Sequence, residues 1–245
     1  AFILAFTGLF DVGDAVGIGS PGYPSYRQIL KALSLNTVTI KALSDNKFQP
    51  VSTDVINNKL DGLLVASPAN PTGSMLNRDE LEKLIAACKK KETAFISDEI
   101  YHGIEYETRA VSALEVSDDC FVINSFSKYF SMTGWRLGWI VVPNKHIRQF
   151  ERLAQNMFIC APHISQIAAL GALDAHPELN QNVETYKTNR AMLTEQLPKL
   201  GLANFAPPDG AFYFYVDVSE DTDNSVKFAN EILDEVNVAV TPGID

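Results

Sequence analysis

The chain is 245 residues long, 46% hydrophobic and 20% charged, enough apolar material for one large soluble domain or one and a half. Its formal net charge of −10 speaks against nucleic-acid binding, which needs a surplus of Lys and Arg. Cys88, Cys120 and Cys160 are odd in number and widely spaced, and the four histidines share no ligand spacing, so neither a disulfide framework nor a metal site is indicated and a reducing cytoplasm fits best.

The first ten residues, AFILAFTGLF, are apolar but too few to span a membrane, and Asp11 and Asp14 follow at once. No basic region precedes them, so they read as a buried helix rather than a signal peptide. Short apolar runs then alternate with longer helical patterns. Strands are expected at 15–19, 37–40, 62–66, 94–97, 121–124 and 137–142, and helices at 23–35, 53–59, 77–91 and 144–156. Asn77 is a plausible N-cap, with Glu80 as its capping-box partner. Strand, helix, strand in succession implies a mostly parallel sheet covered on both faces. Beyond residue 142 a mainly helical stretch runs to about 200 with a break near 175–177. A Pro-Pro-Asp-Gly turn at 207–210, an aromatic strand at 211–218, a helix at 225–236 and a strand at 238–240 follow. The chain opens on Ala1 inside an apolar run and closes just after an extended stretch, so both ends read as cut from a longer protein.

Four polar segments lie just beyond expected strands, where open parallel sheets form their ligand crevice. They carry Tyr23, Asn70, Asp98 with Tyr101, and Ser125 with Lys128. A Lys directly after an apolar strand is costly to bury as an ammonium. Condensation of its amine with an aldehyde resolves the cost; a solvated surface loop is the other resolution. Arg136, eight residues on, can set a guanidinium against a phosphate, and Ser125 and Ser127 add hydroxyls.

Four motifs stand in order: Pro-Gly-Tyr-Pro at 21–24, Asn-Pro-Thr-Gly at 70–73, Asp-Glu-Ile-Tyr at 98–101, and Ser-Phe-Ser-Lys at 125–128 followed by Gly-Trp-Arg-Leu-Gly at 134–138. Over essentially its whole length the chain resembles the fold-type-I pyridoxal-phosphate enzymes, class I/II aminotransferases in particular. The resemblance implies an α/β fold: a mostly parallel sheet sandwiched by helices in a cofactor-binding large domain (1–160), then a helical linker and a smaller α+β C-terminal domain (161–245), truncated at both ends. It implies that Lys128 holds pyridoxal 5′-phosphate as a Schiff base and moves the proton between substrate Cα and cofactor C4′. Asp98 would pair with the pyridine nitrogen and keep it protonated. Tyr101 and Asn70 would bond the phenolic oxygen, Tyr23 would stack on the ring, and Arg136, Ser125 and Ser127 would hold the phosphate. Glu99 and His102 read as structural or rim residues. Amino acids and 2-oxo acids are the implied substrates and a homodimer the implied assembly, with no nucleic acid or membrane partner.

The sequence also departs from that pattern. The Gly-rich turn that gives the family backbone donors to the phosphate is not among these residues. Nor is the Arg near the C-terminus that grips the substrate carboxylate, since none of Arg27, Arg78, Arg109, Arg148, Arg152 or Arg190 sits in a matching motif. Weak cofactor binding and slow or no turnover are expected of this stretch alone. A lyase or decarboxylase on the same anchors, or a non-catalytic aminotransferase-like sensor domain, are the other readings.

Overall fold

Strands that are apolar on both faces must be covered on both faces, and this dictates the layering. The computed structural model describes residues 1–244. β1 (Ala15–Ser20), β2 (Asn36–Lys41), β3 (Gly62–Ala66), β4 (Ala94–Asp98) and β5 (Phe121–Ser125) run parallel, in the order β2-β1-β3-β4-β5. β6 (Gly138–Val141) pairs antiparallel to β5, with Ser125 opposite Gly138. All six expected strands of the sheet form, within two residues at each end.

Side chains alternate between the two faces of the strands. Leu63, Val65, Phe95 and Val122 point to one side, where α3 (Ser52–Asn57) and α4 (Arg78–Lys90) cover them with Val55, Leu81, Leu84 and Cys88. Val16, Ile18, Leu64, Ile96 and Ile123 point to the other. There α1 (Phe2–Leu9), α2 (Pro24–Ala32) and α5 (Ile147–Met157) supply Phe6, Tyr26, Leu30 and Phe150. The apolar first ten residues are thus a helix of the core, with Ala5 and Phe6 fully buried. The capping box on α4 forms: Asn77 Oδ1 accepts from the Glu80 amide at 2.9 Å, and Glu80 Oε2 accepts from the Asn77 amide at 2.7 Å. Pro24 starts α2 at a position where a missing amide costs nothing.

After α5 come α6 (His163–Leu173) and α7 (His176–Lys199), broken at Asp174 and Ala175, and later α8 (Ser225–Val236). Two expected strands do not form. Residues 211–218 make a single isolated bridge, Val216 to Phe205, because Ala211 adopts a left-handed conformation (φ +57°) that interrupts extension, and the aromatic side chains pack on Tyr101 and Tyr186 instead of into a ladder. Val238 and Val240 are about half exposed, and no neighbouring strand pairs with them among the described residues; β-branched side chains make a strand only against a partner. No helix among the described residues is long and apolar enough to cross a membrane, and none of their His, Cys, Asp and Glu side chains cluster in threes around a possible metal.

Candidate active site

The carboxyl ends of β1, β3, β4 and β5 open onto one rim. β1 leads outward to β2, whereas β3 begins on its other side, so the switch point of the sheet lies between β1 and β3. Tyr23 follows the first of these strands and Asn70 the second.

Asp98 ends β4 and is 3% exposed. The Tyr26 hydroxyl donates to its Oδ2, and the Ile100 amide donates to Oδ1 at 3.1 Å. Burial pushes the carboxyl up to about 6, and those two hydrogen bonds offset only part of the rise. No Lys or Arg side chain pairs with it among the described residues.

Tyr101, three residues on, is equally buried, and its hydroxyl bonds that of Tyr213. Asn70 Nδ2 donates to the same Tyr213 oxygen at 3.4 Å. Lys128 Nζ lies 5.5 Å from the ring centroids of both Tyr101 and Phe212, beside this edge-on aromatic pair. Tyr23 caps the start of α2, is 40% exposed, and meets Tyr26 edge-on with ring centroids 5.4 Å apart. Tyr23, Tyr26, Asp98, Tyr101 and Tyr213 lie close enough to feel one another's charge, although burial is the main reason the phenols of Tyr26, Tyr101 and Tyr213 are pushed up.

Beside this cleft the Ser125 hydroxyl lies 2.8 Å from that of Ser127, and the Ser127 amide donates to Ser125 Oγ at 3.0 Å. Gly138 lets β6 approach here, since a Cβ would sit 2.7 Å from the Asn124 carbonyl oxygen. Arg136 is a non-glycine residue at φ +54°, a conformation that costs of order 1 kcal/mol and re-aims its side chain. Its Nη1 donates to the Thr133 carbonyl at 2.8 Å, and the guanidinium is otherwise exposed, with no carboxylate paired to it among the described residues.

The sequence model for aminotransferases of class I and II matches residues 1–244. The chain belongs to this family.

Among its class I and II relatives, the valine–pyruvate aminotransferase of Mycobacterium tuberculosis is 44% identical over 100% of this chain and 64% of its own length. A crystal structure from Silicibacter pomeroyi superposes with a TM-score of 0.98 at 61% identity, covering 99% of this chain and 66% of that one. The aspartate aminotransferase of Thermotoga maritima superposes at 0.92 with 33% identity, covering 99% and 65%. The chain thus spans a little under two thirds of the length of these relatives.

Class I and II aminotransferases depend on pyridoxal phosphate, and the charge pattern of this cleft fits that group. A buried carboxylate with no basic side chain beside it suits a cationic ring nitrogen. An amine beside aromatic rings suits an aromatic aldehyde, and an exposed guanidinium carried on the same β5–β6 connection as two hydroxyls suits a phosphate. The structure brings Tyr23, Asn70, Asp98, Tyr101 and Lys128 around one cleft and sets Ser125 and Ser127 at the end of β5, with Arg136 next in sequence to Leu137, whose carbonyl accepts from the Ser125 hydroxyl at 3.0 Å. Asn70 and Tyr101 meet only through a third residue, Tyr213.

Three residues of this cleft escaped the sequence reading: Tyr26, Phe212 and Tyr213. Tyr26 carried a signal, since it lies three residues after Tyr23 and shares its helix face. Phe212 and Tyr213 were read as strand residues. Glu99 and His102 are structural, as expected, and Glu99 is buried at 3% exposed. Its Oε1 accepts from the Ser97 hydroxyl at 3.0 Å and the Ala113 amide at 2.8 Å, while Oε2 lies 3.5 Å from His102 Nδ1. His102 Nε2 in turn lies 3.0 Å from the Ser67 carbonyl oxygen.

Proposed function

We propose that the protein is a pyridoxal-phosphate-dependent aminotransferase that moves an amino group between an amino acid and a 2-oxo acid. The observation that carries this is the buried carboxylate of Asp98, left without a basic partner in the cleft where the Lys128 amine lies against Tyr101. When bound, pyridoxal phosphate supplies an aldehyde that condenses with amines and a ring that takes up the electron pair left at the amino acid Cα.

The chain's own residues do the rest. Lys128 anchors the cofactor through its amine and, once released, carries the proton from the amino acid Cα. Asp98 holds a proton on the ring nitrogen, and that cationic partner brings the carboxyl down from the raised value it has alone. Tyr26 keeps Asp98 in place. Tyr101 and Asn70 bond the phenolic oxygen, Tyr23 covers the ring, and Arg136, Ser125 and Ser127 bind the phosphate.

The 44% identity to a valine–pyruvate enzyme makes valine and pyruvate the first pair to assay. We place the protein in cytoplasmic amino-acid biosynthesis, as a homodimer. Ile164, Ile167, Leu170 and Leu173 leave an apolar stripe along α6 that is 46–66% exposed, which supports such a contact. We also place the domain boundary at residue 160, with a large domain over 1–160 and a linker and small domain over 161–245. The two large cores draw only on residues up to Ala154, which supports this division.

The deciding experiment uses the full-length protein with pyridoxal phosphate, an amino acid and a 2-oxo acid. Amino transfer is expected, and Lys128→Ala should lower it by about 10³-fold or more, within the range lost with a general acid–base group. Carbon dioxide or ammonia released in place of the transferred amine would sink the transaminase reading in favour of a decarboxylase or lyase.

A further inference from the structure

Tyr213 arrives from far along the chain, 112 residues after Tyr101 and 143 after Asn70, yet its hydroxyl bonds both side chains. Its delivery is built from backbone contacts. The Gly210 amide donates to the Gly73 carbonyl at 2.8 Å, in the loop that carries Asn70. The Ala211 amide donates to the Ile104 carbonyl at 2.9 Å, in the loop that carries Tyr101, and the Tyr106 hydroxyl donates to the Ala211 carbonyl. Only glycine seats the segment this closely. A Cβ on Gly210 would stand 2.6 Å from Pro68 Cγ and 2.9 Å from the Ile104 oxygen. Ala211, fully buried at φ +57°, then turns the chain so that Tyr213 reaches Tyr101, with ring centroids 5.5 Å apart at 79°.

Hydrogen-bond direction follows from the groups involved. The Asn70 amide nitrogen can only donate, so the Tyr213 oxygen accepts. Each phenol has a single proton. If Tyr213 gives its proton to the Tyr101 oxygen, the Tyr101 proton is free for a third acceptor, and the chain of bonds polarises it. We propose that Tyr213 is a positioning residue, whose hydroxyl links Asn70 to Tyr101 and aims the Tyr101 proton at the phenolic oxygen of pyridoxal phosphate. This rests on the proposed function above, in which Tyr101 donates to that oxygen. A well-aimed donor favours the anionic oxygen, so the adjacent Lys128 nitrogen is protonated only at lower pH.

The test is a pH titration of the visible absorption of the full-length, cofactor-loaded protein. Tyr213→Phe removes the relay and should move the midpoint upward by about half a pH unit or more, roughly threefold in proton affinity. Tyr101→Phe should move it in the same direction. The double variant should go no further than Tyr101→Phe, because Tyr213 acts through Tyr101. Gly210→Ala, which displaces the segment, should reproduce the Tyr213→Phe shift. A residue that only packs would change the melting temperature and leave the midpoint alone. An unmoved midpoint in Tyr213→Phe, or shifts that add in the double variant, overturns the proposal while the aminotransferase reading stands. If borohydride traps no cofactor on Lys128 of the unaltered protein, both fall together.

Discussion

Beyond the end of β4 two pockets hold neighbouring carboxylates, each 3% exposed, and treat them in opposite ways. On the α3–α4 side, Glu99 receives the Ser97 hydroxyl and the Ala113 amide and faces His102. On the α1–α2 side, Asp98 receives a phenol and one amide, and burial leaves its carboxyl at about 6. The first pocket is complete within the chain. The second has no Lys or Arg partner among the described residues. A buried acid left incomplete costs stability, and such groups cluster where a ligand supplies what is missing.

Substitutions can break or sharpen this contrast. The largest effect is expected for Glu99→Ala, which strips acceptors from Ser97, Ala113 and His102 at once. Breaking a buried polar network of this kind costs roughly 3 kcal/mol. Chemical denaturation should show that loss, while activity per folded molecule stays within a few-fold; a large loss of activity at full stability would erase the distinction between the pockets.

Asp98→Asn should do the reverse, ending activity while stabilising the cofactor-free protein at neutral pH. Burial pushes the folded carboxyl up to about 6, from the 3.8 of a free aspartate, so the folded state binds this proton more tightly than the unfolded state. Its contribution to stability is full below pH 4 and is lost as pH rises through 6. The variant should therefore match the parent below pH 4 and exceed it at pH 7–8, by at most about 3 kcal/mol. Denaturation curves at both pH values decide it, and an equal or lower stability of the variant at pH 8 would show that Asp98 is already compensated.

The smallest effect belongs to Tyr26→Phe. Without the phenol donor the Asp98 carboxyl should titrate still higher, by a shift worth about 1 kcal/mol. A carboxyl carbon titration by NMR on the cofactor-free protein would read it; no movement would show that the phenol does not offset the burial of Asp98.

Much of this was legible in the residues. The six strands of the sheet show as apolar runs of the right length, and the loops beyond them carry the polar motifs that converge in the cleft. The Asn77–Glu80 capping box is visible by spacing alone. What stayed hidden depends on contacts distant in sequence. The spacing of Tyr26 from Tyr23 points it toward the cleft but says nothing of the acid, 72 residues away, that its hydroxyl meets. The Ala-Phe-Tyr-Phe-Tyr run at 211–215 has the alternation of a strand, yet a single left-handed residue and the Gly210 contact turn it into an irregular wall of the cleft. Periodicity reports a side-chain preference, and backbone handedness at one position overrides it.

The lone antiparallel strand carries a last consequence. Because β6 returns beside β5 with Ser125 opposite Gly138, the turn between them presents Lys128 and Arg136 at the same edge of the sheet. In the proposed reading this hairpin is a ruler: its register sets the span between the aldehyde and phosphate ends of the molecule it accepts. Sliding β6 by one residue would change that span by about 3.4 Å and turn its side chains to the other face. A homologue with a residue added or lost on one side of the hairpin should hold the cofactor weakly or not at all.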